Sequence, residues 1–150
     1  MGLFSKKKKS ILDFISEDLN NIDFDTFDFI GEEINTMGGK FKRYKKRLAK
    51  KEVLLFDILE VIVFETGSKN MFFKTGISGI NKSILVNFIN DLVSTYGKDS
   101  SNEGRVNEKE VDYFLKDEWW IGRTWDDSDP TVSISIMRDK IFELSIVGID

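Results

Sequence analysis

Apolar and polar residues alternate most regularly near the end of the chain. In the stretch Thr131 to Gly148, Val132, Ile134 and Ile136 alternate with Ser133 and Ser135. After a break, Phe142, Leu144 and Ile146 alternate with Glu143 and Ser145. A period of two with polar residues between predicts two half-buried strands joined by a turn. The register follows from the loop. A two-residue loop at Arg138-Asp139 sets Ile134 opposite Glu143. A three-residue loop, Arg138 to Lys140, sets Ile136 opposite Phe142, Ile134 opposite Leu144 and Val132 opposite Ile146. Only the second gathers both apolar sets on one face, which the rest of the chain must then cover.

Upstream, Val53 to Thr66 is nearly continuous in apolar residues, many of them β-branched or aromatic. It predicts one long, bent or interrupted strand buried in the sheet, with a turn at GSKN and a returning strand over Asn70 to Thr75. Two stretches carry helical spacing instead. Asn81 to Gly97 places Leu85, Phe88, Ile89, Leu92, Val93 and Tyr96 on one face and ends on a capping glycine. Asn107 to Lys116 is shorter, with Asn107 and Glu110 spaced as a capping-box variant and Val111, Phe114 and Leu115 facing inward. A further helix is predicted from Ser10 to Ile22. Asp23 to Ile30 reads as a short strand or an aromatic loop. Lys40 to Lys51 suits either a helix or an edge strand. Trp119 to Trp125 is extended, with Gly122 marking a bulge or a close backbone approach. The order of elements predicts an α+β fold, an antiparallel sheet of five or six strands with helices packed on one face.

Composition narrows the chemistry. At 150 residues the chain is expected to be a single domain, with residues 1–9 a flexible basic start. It contains neither cysteine nor histidine. That removes thiolate metal sites, cysteine nucleophiles, imidazole general bases and every Ser-His-Asp arrangement. Catalysis would fall to carboxylates, lysine or tyrosine, and spacing singles out no such pair. A cysteine-free chain with neither a signal-peptide pattern nor an apolar run of spanning length is expected in the cytoplasm. Leu3 and Phe4 precede four lysines, so a peripheral membrane contact through residues 3–22 is a competing expectation. The acidic character of the following segment counts against it. The net charge of −4 hides strong segregation: residues 13–33 carry eight acids and no base, and residues 40–51 carry eight bases and no acid. These neighbours are expected to face each other or to tile adjacent surfaces.

Four stretches carry candidate chemistry. Asp99 to Glu110, DSSNEGRVNEKE, resembles the twelve-residue EF-hand calcium loop. Asp99 holds the first position, Ser101 the third, Glu103 the fifth, Gly104 the sixth and Glu110 the twelfth. The resemblance implies a calcium ion ligated by Asp99, Ser101, Glu103 and Glu110 with the backbone carbonyl of Arg105. A polar connector between two capped helices accounts for the same residues without metal. Gly76 to Ser83, GISGINKS, resembles a phosphate-binding loop but has Asn81 where the second glycine belongs. The basic run, with Lys40, Lys42, Arg43, Lys45, Lys46 and Arg47 interleaved by Phe41 and Tyr44, could track a nucleic-acid backbone, although the chain as a whole is acidic. Finally, Trp119, Trp120, Arg123 and Trp125 are residue types that anchor protein interfaces. Adjacent tryptophans on a strand point to opposite faces, so one of the first two must lie near the surface. The leading expectation is a non-catalytic intracellular module that binds another protein, of toxin-neutralising or adaptor type. Calcium binding at 99–110 and nucleic-acid binding at 40–51 are the alternatives.

Overall fold

The computed structural model describes residues 22–48, 55–137 and 139–150. All of the helix predicted from Ser10 but its last residue, Ile22, lies outside them, as do the basic start, Val53 and Leu54 of the predicted long strand, Lys50, Lys51 and the loop residue Arg138. Among the described residues the chain forms seven strands and two helices. They run β1 (Asp28–Ile34), β2 (Lys40–Arg47), β3 (Ile58–Phe64), β4 (Lys69–Gly76), α1 (Lys82–Tyr96), α2 (Glu108–Asp117), β5 (Trp120–Trp125), β6 (Thr131–Ile136) and β7 (Ile141–Ile149). All strands join one open antiparallel sheet in the order β1-β2-β3-β4-β7-β6-β5. The expectation of five or six strands with helices packed on one face is therefore corrected. The protein is mostly sheet, and neither β1 nor β2 contains a fully buried residue.

The closing hairpin has the three-residue-loop register, with Val132 opposite Ile146, Ile134 opposite Leu144 and Ile136 opposite Phe142. Lys140, at φ 61°, closes the loop through its N–H to the Met137 carbonyl at 3.0 Å. The six apolar side chains, with Leu59, Val61, Met71 and Phe73 of β3 and β4, make the inner face of the sheet and are all buried. Helix α1 closes over it. Phe56, just before β3, stacks on Phe142 at 5.7 Å and meets Phe88 of α1 edge-on at 5.5 Å. Each such side chain taken from water contributes about 1.5–3 kcal/mol, so this aromatic cluster fixes α1 to the sheet. The Asn81 side chain caps α1 by accepting from the Ile84 N–H, and Gly97 ends it at φ 83°.

The missing strands were hidden by charge. On β2 the bases alternate between the two faces, so no apolar period marks the strand, and pairing is carried by opposite charges. Acidic β1 lies beside basic β2 with Asp28 opposite Lys45 and Glu32 opposite Lys42. On the outer face the pairing extends into a row across five adjacent strands. Glu33 meets Arg43 at 3.0 Å, Arg43 meets Glu60 at 2.6 Å, Glu60 meets Lys74 at 3.2 Å, and Lys74 meets Glu143 at 3.8 Å. Burial would push the Glu60 carboxyl upward, but hydrogen bonds and charge from Arg43 and Lys74 outweigh it and hold the group below the usual carboxylate range. Glu143 goes the other way. Burial raises it, helped by Asp139 and Glu60, and Lys74 offsets only part.

Two predictions follow from the sheet. A methyl group at Gly122 would overlap the Ile134 carbonyl oxygen, at φ 93°. Gly122→Ala should destabilise by about 3 kcal/mol or more, whereas Gly76→Ala, with open space and ordinary backbone angles, should be near neutral in thermal unfolding. The ionic row gives a pH signature. Glu60 has a depressed folded pKa, so its contribution is present above the ordinary carboxylate value and lost as pH falls through the folded one. Glu60→Gln should cost roughly 2 kcal/mol at pH 7, less than a fully buried pair because both cations are part-exposed, and the gap should close in acid. Glu143 has a raised folded pKa, so its contribution is lost as pH rises through that value. Glu143→Gln should therefore gain relative stability from acid to neutral pH, read from melting temperatures across that range.

Candidate functional site

Between α2 and β5 the surface opens into a groove of about 610 Å³, a volume within the range of ligand and peptide sites. Its position is set by the turn before it. Helix α2 starts at Asn107, whose side chain accepts from the Glu110 N–H at 2.9 Å, and ends at Glu118, a non-glycine residue at φ 56°. That left-handed residue turns the chain back along the helix into β5, and Lys140 holds it through a 2.9 Å ion pair. Trp120 then stacks flat on Phe114 of α2, at 4.2 Å and 7° between planes, forming the floor. Around this floor stand Trp119, 47% exposed, Tyr113, 77% exposed, and Ile121, 79% exposed. Glu103, Glu110 and Asp117 add carboxylates to the lining, against Lys109 and Arg123.

The other wall is the loop between the helices, and it is stapled to β5. Arg123 is only 6% exposed. Its Nη1 donates to the Gly104 carbonyl at 2.6 Å, and its Nε lies 3.1 Å from Glu103 Oε2 and 3.9 Å from Asp99 Oδ2. The Nε–H is not aligned for a hydrogen bond, so both carboxylates are held by charge. Trp125, 3% exposed, donates its indole N–H to the Gly97 carbonyl at 2.8 Å. The Ser100 N–H donates to the Thr124 carbonyl at 2.8 Å, which closes the C-terminal end of the outer edge of β5. On the far side the buried Asn90 amide clamps the loop to α1, donating to the Val106 carbonyl at 3.0 Å and accepting from the Val106 N–H at 2.8 Å.

The sequence-predicted sites fare unequally. Of the four interface candidates, Trp119, Trp120 and Arg123 line the groove, Arg123 as a largely buried support, while Trp125 lies buried beneath the loop. Gly122 is both the bulge and the close approach expected of it: the register shifts between Trp120 and Arg123, and the β6 backbone leaves no room for a side chain. In the calcium-like loop, Asp99 Oδ1 accepts from the N–H groups of Ser101 at 3.1 Å and Glu103 at 2.7 Å, and Arg123 lies against the remaining oxygen. Glu110 instead lines the groove from the first turn of α2. Among the described residues no three acidic side chains converge on a point that could hold a metal ion, so Asp99, Ser101, Glu103, Arg105 and Glu110 are not gathered into a ligand set. In the phosphate-loop stretch, Lys82 reaches Asp112 at 3.1 Å and so braces α1 against α2.

The basic run is strand β2, and alternation divides it. Lys40, Lys42 and Lys46 share one face, while Arg43, Lys45 and Arg47 share the other with Phe41. Arg43 is committed to Glu33 and Glu60, and Lys46 sits 5.7 Å over the Phe27 ring. The bases of the run are thus divided between the two faces of the sheet rather than gathered along one. Sequence reasoning missed Tyr113, Ile121 and Asn90. The signals were an aromatic one place before the inner-face position Phe114, and an amide in the apolar stretch of α1.

Removing Arg123 should strand the Asp99 carboxylate in a buried setting. Arg123→Leu is expected to cost about 3–5 kcal/mol in thermal or urea unfolding, while Trp119→Ala should cost under about 1 kcal/mol. Millimolar calcium against chelator should leave the parent's melting temperature unchanged. A calcium-dependent rise that Glu110→Gln abolished would overturn the assignment of the loop to Arg123.

Among the described residues no helix is long and apolar enough to cross a membrane. Set against family models, curated proteins and solved structures, the chain matches none of them.

Proposed function

We propose that this chain is a non-catalytic protein-binding module and that its binding site is the groove between α2 and β5. The observation that carries the reading is Tyr113, Trp119 and Ile121 standing exposed around the stacked floor of Phe114 and Trp120. Large aromatic side chains cost apolar exposure to water when left uncovered. Gathered on a rigid floor with a charged rim, they have the make-up of an interface hot spot. The rigidity comes from beneath: Arg123 and Trp125 fasten the loop wall to the strand, so binding need not order it first. Toxin-neutralising and adaptor roles both fit such a site, since each needs a surface and no reacting group. The absence of cysteine and histidine from the sequence favours the same class.

The test is capture of a partner from source-cell lysate by the parent chain and by variants. Trp119→Ala combined with Tyr113→Ala should weaken a specifically retained partner at least tenfold and shift the melting temperature by no more than about 3 °C. A partner retained equally by parent and double variant would show that binding occurs elsewhere.

A further inference from the structure

We infer that the partner enters the groove as an extended segment, adding a strand to the outer edge of β5, with an apolar side chain over the Phe114–Trp120 floor and lysine or arginine beside the acidic rim. This rests on the binding reading above and specifies the chemistry of the occupant.

Three observations support it. First, β5 is the terminal strand of the sheet, and among the described residues no strand neighbours its outer backbone edge. The edge is not open along its whole length. Ser100 occupies the Thr124 carbonyl, which leaves Trp120 to Gly122 as the accessible stretch, and the bulge at Ile121 and Gly122 falls within it, so this edge offers a short, irregular ladder. Terminal strands are ordinarily defended by charged side chains, bulges or a covering element. Here the accessible stretch carries Ile121, 79% exposed, with Trp119 next to it.

Second, the groove runs beside this stretch, with α2 as its opposite wall. Side chains of an added strand alternate between faces. One set would then lie on the Trp120 and Phe114 rings while the other passes Ile121. Three residues of strand span about 10 Å, so the paired core is three or four partner residues long.

Third, the charges select the partner. Arg123 is already matched by Asp99 and Glu103. That leaves Glu110 and Asp117 outnumbering Lys109 along the groove, an excess of negative charge that favours a basic segment and disfavours an acidic one.

The probe is a displayed library of random decapeptides selected on the folded full chain, with Trp119→Ala plus Tyr113→Ala as the counter-selection. Peptides that bind the parent but not the variant are resynthesised with alternate backbone nitrogens methylated. The inference expects lysine or arginine next to apolar residues in alternation, at least tenfold weaker binding of the methylated copy, and slowed amide exchange at Ile121 or Gly122 on binding. Groove-dependent peptides that are acidic, or that bind equally well when methylated and protect neither amide, would overturn strand addition and leave the protein-binding reading standing. A library yielding no groove-dependent peptide would overturn both.

Discussion

The Arg123 guanidinium carries a full charge into a place with little solvent, and a cation there needs opposite charge or acceptors close by. It is matched by the carboxylates of Asp99 and Glu103 and by the Gly104 carbonyl, all from the loop between the helices. That requirement fixes the loop against the terminal strand of the sheet. With the loop fixed, Trp125 reaches the Gly97 carbonyl, Ser100 reaches β5, and α2 leaves the loop at an angle that brings Phe114 flat onto Trp120. The groove is thus a consequence of neutralising one buried charge. Breaking such a pair is costly because the survivor stays buried, which ties the integrity of the site to the stability of the fold.

The sheet divides its labour between faces. The inner face is apolar from β3 to β6 and meets α1 through the Phe56, Phe88 and Phe142 rings. The outer face carries acid and base in strict alternation from Glu33 to Glu143. Each interior member of that row has an opposite charge on both sides, so attraction spans strand boundaries and reinforces the backbone ladder. The two carboxylates are nevertheless unlike. Glu60 lies between two cations and is held ionised, whereas Glu143 has one cation, two nearby carboxylates and more burial than its single partner offsets.

Local pattern made much of this legible. The closing hairpin and its register followed from alternation and loop length, because a slip of one residue would have turned Ile134 toward Glu143. The first helix was marked by its closing Gly97 and the second by the Asn107 cap, and segregation of charge anticipated that acidic and basic segments would meet, as β1 and β2 do. The same charges concealed the strand count. With bases on both faces of β2 and no buried residue in β1, neither strand had the apolar period by which strands are recognised.

What the sequence determined by itself was therefore whatever depends on neighbours along the chain: turn length, capping, alternation, and the lack of imidazole and thiol chemistry. What only the tertiary structure decided was whatever depends on residues far apart in sequence. Arg123 and Trp125 have the composition of an interface, and only the loop folded over them makes them supports. Asp99, Glu103 and Glu110 have calcium-loop spacing, yet a guanidinium from β5 holds the first two while helix α2 carries the third to the groove. Spacing states which side chains are available. Which charge lies beside which is set by packing, because the energy of a buried charge depends on whatever the fold brings against it.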